Sequence, residues 1–191
     1  MFKQLFAAAA LAAVIASPAG AVTFESALTQ GSTVVADYAG PRLISFDIDF
    51  GNLSAAEVEY RIDDGDIGAP IDFKAILRNF SGSGFTGFTI TLSEGSFGTL
   101  GSVTRQFGGT AQTFGSGNTA TIMFNTPEFL DVEFGNALGT TPNAANWTLL
   151  GLHAGDRITL TVTPVPEPGT YALMFGGLAL LAGVARRRRQ H

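Results

Sequence analysis

Apolar and polar residues alternate with a period of two through most of this chain. Phe46, Ile48 and Phe50 alternate with Ser45, Asp47 and Asp49, and Val58, Tyr60 and Ile62 alternate with Glu57, Glu59 and Arg61. This period turns one face of a strand to a core and the other to water, which places Asp47 and Asp49 on the solvent side. Further strands are predicted over residues 34–38, 71–79, 85–92, 102–107, 119–124, 132–134 and 156–163. In the last of these, Ile158, Leu160 and Val162 alternate with threonines, and both sets favour a strand. Turn formers separate the runs: Asp63-Asp64-Gly65-Asp66, Ser81-Gly82-Ser83-Gly84, Gly108-Gly109 and Gly115-Ser116-Gly117-Asn118. Residues 128–138 have the pattern of a helical turn, but no long amphipathic helix, βαβ rhythm or fixed repeat occurs. The pattern predicts an all-β domain over residues 22–164. Its expected architecture is an antiparallel β-sandwich, jelly-roll-like or immunoglobulin-like, with a barrel as the alternative.

Both ends depart from that period. Residues 1–21 begin Met1-Phe2-Lys3-Gln4, continue through an apolar run over 5–16, and finish on Ser17-Pro18-Ala19-Gly20-Ala21. A positive start, an apolar run too short for a stable span and small residues at −3 and −1 (Ala19 and Ala21) describe a secretion signal cut after Ala21. Export through a secretion translocon and removal of the leader by signal peptidase follow from that reading.

At the other end, Val165-Pro166-Glu167-Pro168-Gly169 precedes sixteen uncharged residues, 170–185, and then Arg186, Arg187, Arg188 and Arg189. As a helix, sixteen residues extend roughly 24 Å against a hydrocarbon core of about 30 Å. Thr170, Tyr171, Leu173, Phe175, Leu178, Leu180, Leu181 and Val184 would make a marginal single membrane helix, completed by snorkelling arginines and local thinning. The arginines stay cytoplasmic, so the folded domain faces away from the cytoplasm. The prolines of residues 164–168 fix φ and remove donors, so this stretch is expected to be extended and to stand outside both the preceding sheet and the following helix.

These three parts, Val165-Pro166-Glu167-Pro168, a short apolar helix and a terminal arginine cluster, resemble the PEP-CTERM sorting signal of Gram-negative bacteria. The resemblance covers residues 165–189; two residues follow the arginines, and no Trp follows the motif as it does in some members. It implies an exosortase as partner, a membrane-embedded Cys-dependent enzyme that recognises Val165, Pro166, Glu167 and Pro168 and removes the tail. It also implies an inner-membrane-anchored precursor, a final location at the cell surface or in the extracellular matrix, and association with exopolysaccharide and biofilm formation.

Composition sharpens the rest. The 191-residue chain lacks cysteine, which excludes disulfides, thiolate metal sites and Cys nucleophiles, and leaves stability to the core alone. Residues 22–164 hold six basic against fifteen acidic side chains, a net of −9, so nucleic acid is not an expected partner. Thirteen of the sixteen phenylalanines lie in that region and are expected to fill the core, whereas an aromatic sugar platform would sooner use the lone Trp147. Catalytic residues are not expected: His153 is the one histidine outside the tail, no nucleophile elbow or phosphate loop occurs, and no cofactor is implied. Asp63, Asp64 and Asp66 form an acidic, Gly-containing loop that suits calcium, although a solvated turn is the plainer reading. The expectation is thus an exported, non-enzymatic protein bearing an exosortase signal; the alternative is a carbohydrate- or calcium-binding module permanently tail-anchored in the inner membrane.

Overall fold

A computed structural model describes residues 21–66 and 68–167, together with 169, 173 and 176–179. The described residues form thirteen strands: β1 (Thr23–Leu28), β2 (Val34–Asp37), β3 (Leu43–Phe50), β4 (Ala56–Arg61), β5 (Ile71–Asn79), β6 (Phe85–Leu92), β7 (Ser96–Phe97), β8 (Val103–Arg105), β9 (Ala111–Ser116), β10 (Thr119–Glu128), β11 (Asp131–Phe134), β12 (Trp147–Leu150) and β13 (Arg157–Pro166). One sheet has the order β1-β4-β13-β6-β10-β9, the other β2-β3-β5-β11-β8, and β12 joins β5 to β7 at the side of the second.

The predicted period appears as burial. Phe46, Ile48 and Phe50 from β3 and Val58 and Tyr60 from β4 are inaccessible, as are Ile158, Leu160 and Val162 from β13. Residues of both sheets belong to one apolar cluster. Aromatic rings bridge the layers: Phe50 lies 5.7 Å from Phe85 and 6.0 Å from Phe88, and Phe88 lies 6.2 Å from Phe134. Edge-to-face pairs of this kind add to the gain from area burial alone. The Tyr60 hydroxyl donates across the layers to Asp37 Oδ1 (3.0 Å), and burial first, then the Asp37 charge, raises its pKa above the ordinary tyrosine value.

Three expectations are corrected. The second sheet is mixed, because β3 and β5 run parallel in continuous register from Leu43↔Asp72 to Phe50↔Asn79. This pairing is possible because β4, which separates them in sequence, crosses into the other sheet. Residues 128–138 hold no helical turn: Glu128 ends β10, and β11 pairs with β5 and β8. The phenylalanines divide. Phe46, Phe50, Phe73, Phe85, Phe88 and Phe134 are fully buried and Phe97 and Phe124 pack against the core, but Phe24, Phe80, Phe107, Phe114 and Phe129 are exposed.

Candidate functional site

The C-terminal strand carries Val165 and Pro166, the first two residues of the predicted sorting motif. β13 pairs with β4 over residues 157–162 and with β6 over 160–166, and so lies between the two over 160–162. Two flanking bonds fix which way its amides point: Ile62 N–H donates to Asp156 O (2.9 Å) and Ser93 N–H donates to Thr159 O (3.0 Å). Even-numbered residues therefore exchange bonds with β4 and odd-numbered ones with β6, as an antiparallel ladder requires. β4 begins at Ala56, opposite Val162, so no strand pairs with β13 on that side beyond this point.

Pro164 and Pro166 are even-numbered. Their missing donors fall on the side that β4 has vacated, and the strand continues along β6 with Thr163↔Thr89, Pro164↔Phe88, Val165↔Gly87 and Pro166↔Phe85. The expected exclusion of residues 164–168 from the sheet is thereby corrected for Pro164, Val165 and Pro166. Proline removes a ladder bond only where a partner strand exists to accept it. Pro164 even continues the buried alternation of the strand.

The register shifts between Val165 and Pro166, leaving Thr86 as the extra residue of a bulge in β6. Its hydroxyl lies 3.1 Å from Val165 O and 3.3 Å from Pro166 O. Glu167 N–H then donates to Gly84 O (3.3 Å). Gly84 is required there, since a Cβ would collide with the Glu167 carboxylate, lie 2.8 Å from Pro127 Cβ and 2.9 Å from Phe129 Cζ. Gly87 is required for a similar reason, because a Cβ would strike the carbonyl oxygen of Ile122 in β10. Neither Thr86 nor Gly84 was identified from sequence. A glycine inside the 85–92 pattern, Gly87, was the available signal for a bulge or a close backbone approach.

Beneath this end lies a buried charge pair. Arg105 Nε stands 3.4 Å from Glu128 Oε2, and both side chains are almost wholly inaccessible. That nitrogen lacks a hydrogen-bond partner, but the guanidinium donates to Thr126 O (2.8 Å) and Asn125 Oδ1 (3.0 Å) and lies 4.6 Å from the Phe124 ring centre. Glu128 accepts the backbone amides of Phe107, Phe129 and Leu130 at 2.9 to 3.2 Å. Sequence reading missed this pair, which is paired and hydrogen-bonded as buried charge must be.

The other candidates do different work. Asp66 is buried, and its carboxylate accepts Arg42 N–H (2.6 Å) and Asp63 N–H (3.3 Å). It holds Arg42 at a positive φ of 52°, a conformation a non-glycine residue rarely adopts without such support. Asp63 pairs with Arg61 at 2.9 Å. Asp63, Asp64 and Asp66 do not converge, and among the described residues no group of three or more His, Cys, Asp or Glu side chains could hold a metal ion. His153 is 82% exposed and meets only Asp156, with Nδ1 3.3 Å from Oδ2. Trp147 is fully buried, donates from Nε1 to Ser102 O (3.1 Å), and forms no sugar platform.

Asp47 and Asp49 are on the outer face, as the alternation predicted, yet Asp47 is buried there. Arg78 donates to Asp47 Oδ2 (2.6 Å) and Asp49 Oδ1 (2.9 Å), and the Asp49 bond leads in raising the guanidinium pKa. Glu133 accepts Leu138 N–H (3.0 Å) and Thr141 Oγ1–H (2.9 Å), drawing the following loop over the same face. A shallow furrow results, lined by Tyr38, Asp47, Lys74, Arg78 and Leu138.

Ala19, Pro168, most of 170–185 and Arg186, Arg187, Arg188 and Arg189 lie outside the described residues. Of the predicted membrane segment, Leu173 and residues 176–179 are helical and exposed. Among the described residues no helix is long and apolar enough to cross a membrane. The model of the PEP-CTERM protein-sorting motif matches residues 164–189. No curated protein and no solved structure matches the chain.

Proposed function

We propose that this chain is an exported, non-enzymatic β-sandwich protein delivered by exosortase to the cell envelope, the cell surface or an exopolysaccharide and biofilm matrix. The observation that carries the reading is the sorting-motif match over residues 164–189, at the end of the strand that completes the first sheet. In this reading signal peptidase cuts after Ala21, directly before Val22, the first residue of the buried core. Thr170, Tyr171, Leu173, Phe175, Leu178, Leu180, Leu181 and Val184 anchor the precursor in the inner membrane, and Arg186, Arg187, Arg188 and Arg189 hold the end in the cytoplasm. Exosortase reads Val165, Pro166, Glu167 and Pro168. The match and the order of the segments support this sequence of events; the non-enzymatic assignment rests on the sparse catalytic repertoire of the sequence.

The test is the intact mass of the product in a bacterium with an exosortase and in the same strain without it. A product that begins at Val22 and lacks Arg189 only when the enzyme is present supports the proposal. A tail retained in both strains overturns it and leaves a permanent inner-membrane anchor.

The furrow beside Arg78 favours a second activity for the same protein, binding of a matrix polysaccharide. Tyr38 supplies a half-exposed ring, and Asp47, Lys74 and Arg78 supply donors and acceptors for hydroxyl groups. Calorimetric titration of the full chain with host exopolysaccharide tests this, and absence of binding heat together with an unchanged melting temperature would eliminate it.

A further inference from the structure

Four exposed apolar side chains gather where β13 leaves the domain. Phe80 is 65% exposed, Phe107 60%, Phe129 43% and Leu130 48%. They come from three loops, after β5, after β8 and between β10 and β11. Asn79 N–H donates to Leu130 O (3.1 Å), and the rings of Phe107 and Phe129 meet edge to face at 5.9 Å. Phe129 borders Gly84, to which Glu167 is bonded.

This arrangement is held from below. The amides of Phe107, Phe129 and Leu130 all turn inward to the Glu128 carboxylate, which Arg105 accompanies, so the three apolar side chains project outward. A clustered apolar patch on a soluble domain marks a contact surface, whereas single exposed apolar residues do not.

The geometry points to a lipid surface as the occupant. This inference rests on the proposed membrane anchoring of residues 170–185. From Glu167 to Thr170 the chain advances three residues, at most about 11 Å even when fully extended. The polar headgroup layer on each side of a bilayer is roughly 5–8 Å deep. A tether this short holds the Phe107 and Phe129 end of the domain against that layer while the precursor is anchored. Arg105 beneath the patch is buried and the nearby Arg78 is paired with Asp47 and Asp49, so the contact does not depend on anionic lipid. The sorting motif is thereby displayed at headgroup depth, where a membrane-embedded enzyme works.

The cysteine-free sequence permits a direct test by single-cysteine labelling of the full chain, reconstituted into phosphatidylcholine vesicles that carry nitroxide-labelled lipid. A fluorophore is placed at Phe107→Cys or Phe80→Cys, with Leu150→Cys as the distant control and Leu178→Cys as the anchor control. Leu150 lies in β12 beside the start of β5, and Asn79 lies eight residues further along β5, about 26 Å away. The expected result is quenching by lipid at Phe107, Phe80 and Leu178 and none at Leu150, unchanged when anionic lipid is added. Quenching at Leu178 with Phe107 and Phe80 no more quenched than Leu150 overturns this inference and leaves the anchor intact. No quenching at Leu178 overturns the anchor and the inference with it. Shielding of Phe107 from aqueous iodide without quenching by lipid identifies a protein occupant and also overturns it.

Discussion

Replacing Thr86 by valine removes one hydroxyl while keeping the β-branched shape and strand preference of the side chain. In the native chain that hydroxyl lies 3.1 and 3.3 Å from the carbonyls of Val165 and Pro166. Its single proton satisfies one carbonyl at a time, so one hydrogen bond is lost. At this partly exposed edge, the loss is worth about 1 kcal/mol. With 1.4 kcal/mol per tenfold, the detached fraction of the strand end rises about fivefold. Amide hydrogen exchange reads this directly, because the Glu167 amide is protected only by Gly84 O at 3.3 Å. Thr86→Val is expected to speed exchange at Val165 and Glu167 about fivefold. Leu160 and Val162 should be unaffected, since strands flank them on both sides. Equal protection of Glu167 in both proteins would refute the seating of the motif on β6. If exosortase takes the motif as a free strand, the same variant is processed faster in cells; unaltered processing with faster exchange would mean that the enzyme reads the motif while it is docked.

Trp147→Ala is expected to destabilise the domain by about 3–5 kcal/mol in denaturant unfolding, because the ring is fully buried against Phe73, Phe97 and Phe134; a loss below about 1 kcal/mol would contradict that packing. Asp66→Ala should lower stability by roughly 1–3 kcal/mol through the orphaned Arg42 and Asp63 amides, and calcium should not change the melting temperature of either protein; a calcium-dependent rise in the native chain alone would restore the metal reading. Asp131 has a raised pKa, from burial first, opposed by Arg78 and reinforced by Asp49, Glu128 and Asp47. Its contribution to stability is therefore present below the unfolded carboxyl value of about 3.9 and is lost as pH rises through the raised folded value. The melting temperature of Asp131→Asn relative to the native chain should accordingly climb from acid to neutral pH, and a flat or falling difference would oppose this assignment.

Sequence pattern was most informative where a strand buries one face. Residues 71–79 and 85–92 were bounded correctly as β5 and β6 because Phe73, Leu77, Phe88 and Ile90 alternate into the core. β1 and β9 were missed for the complementary reason: both are edge strands of the first sheet and bury almost nothing, so their sequences carry no apolar alternation. β7, two residues long, is too short for a period to register, and β12, no shorter than β2 or β11, was missed as well. The parallel pairing of β3 with β5 depends on where β4 goes, which no local pattern encodes. Asp47 was placed on its correct face but wrongly left in water, because the loop drawn in by Glu133 is distant in sequence. The sorting motif was legible as a string of residues. Its seat was not, because the effect of a proline on a strand depends on whether another strand lies on that side.

The seat also restricts how the tail can be removed. β13 is interior to its sheet over residues 160–162, so the first sheet is complete only when the C-terminal strand has entered between β4 and β6. Glu167 reaches Gly84 only after that insertion, and the motif is therefore presented at a fixed place by a folded domain, not by a free linker. A cut before Pro164 would strip β6 of its pairing with β13 from Phe85 to Phe88 and expose the core beneath the buried Pro164. A cut beyond Glu167 leaves every one of those contacts in place. If the processed protein is to keep the fold of its precursor, the new C-terminus must lie beyond Pro166, so that Val165 and Pro166 stay with the product as the last rung of its sheet.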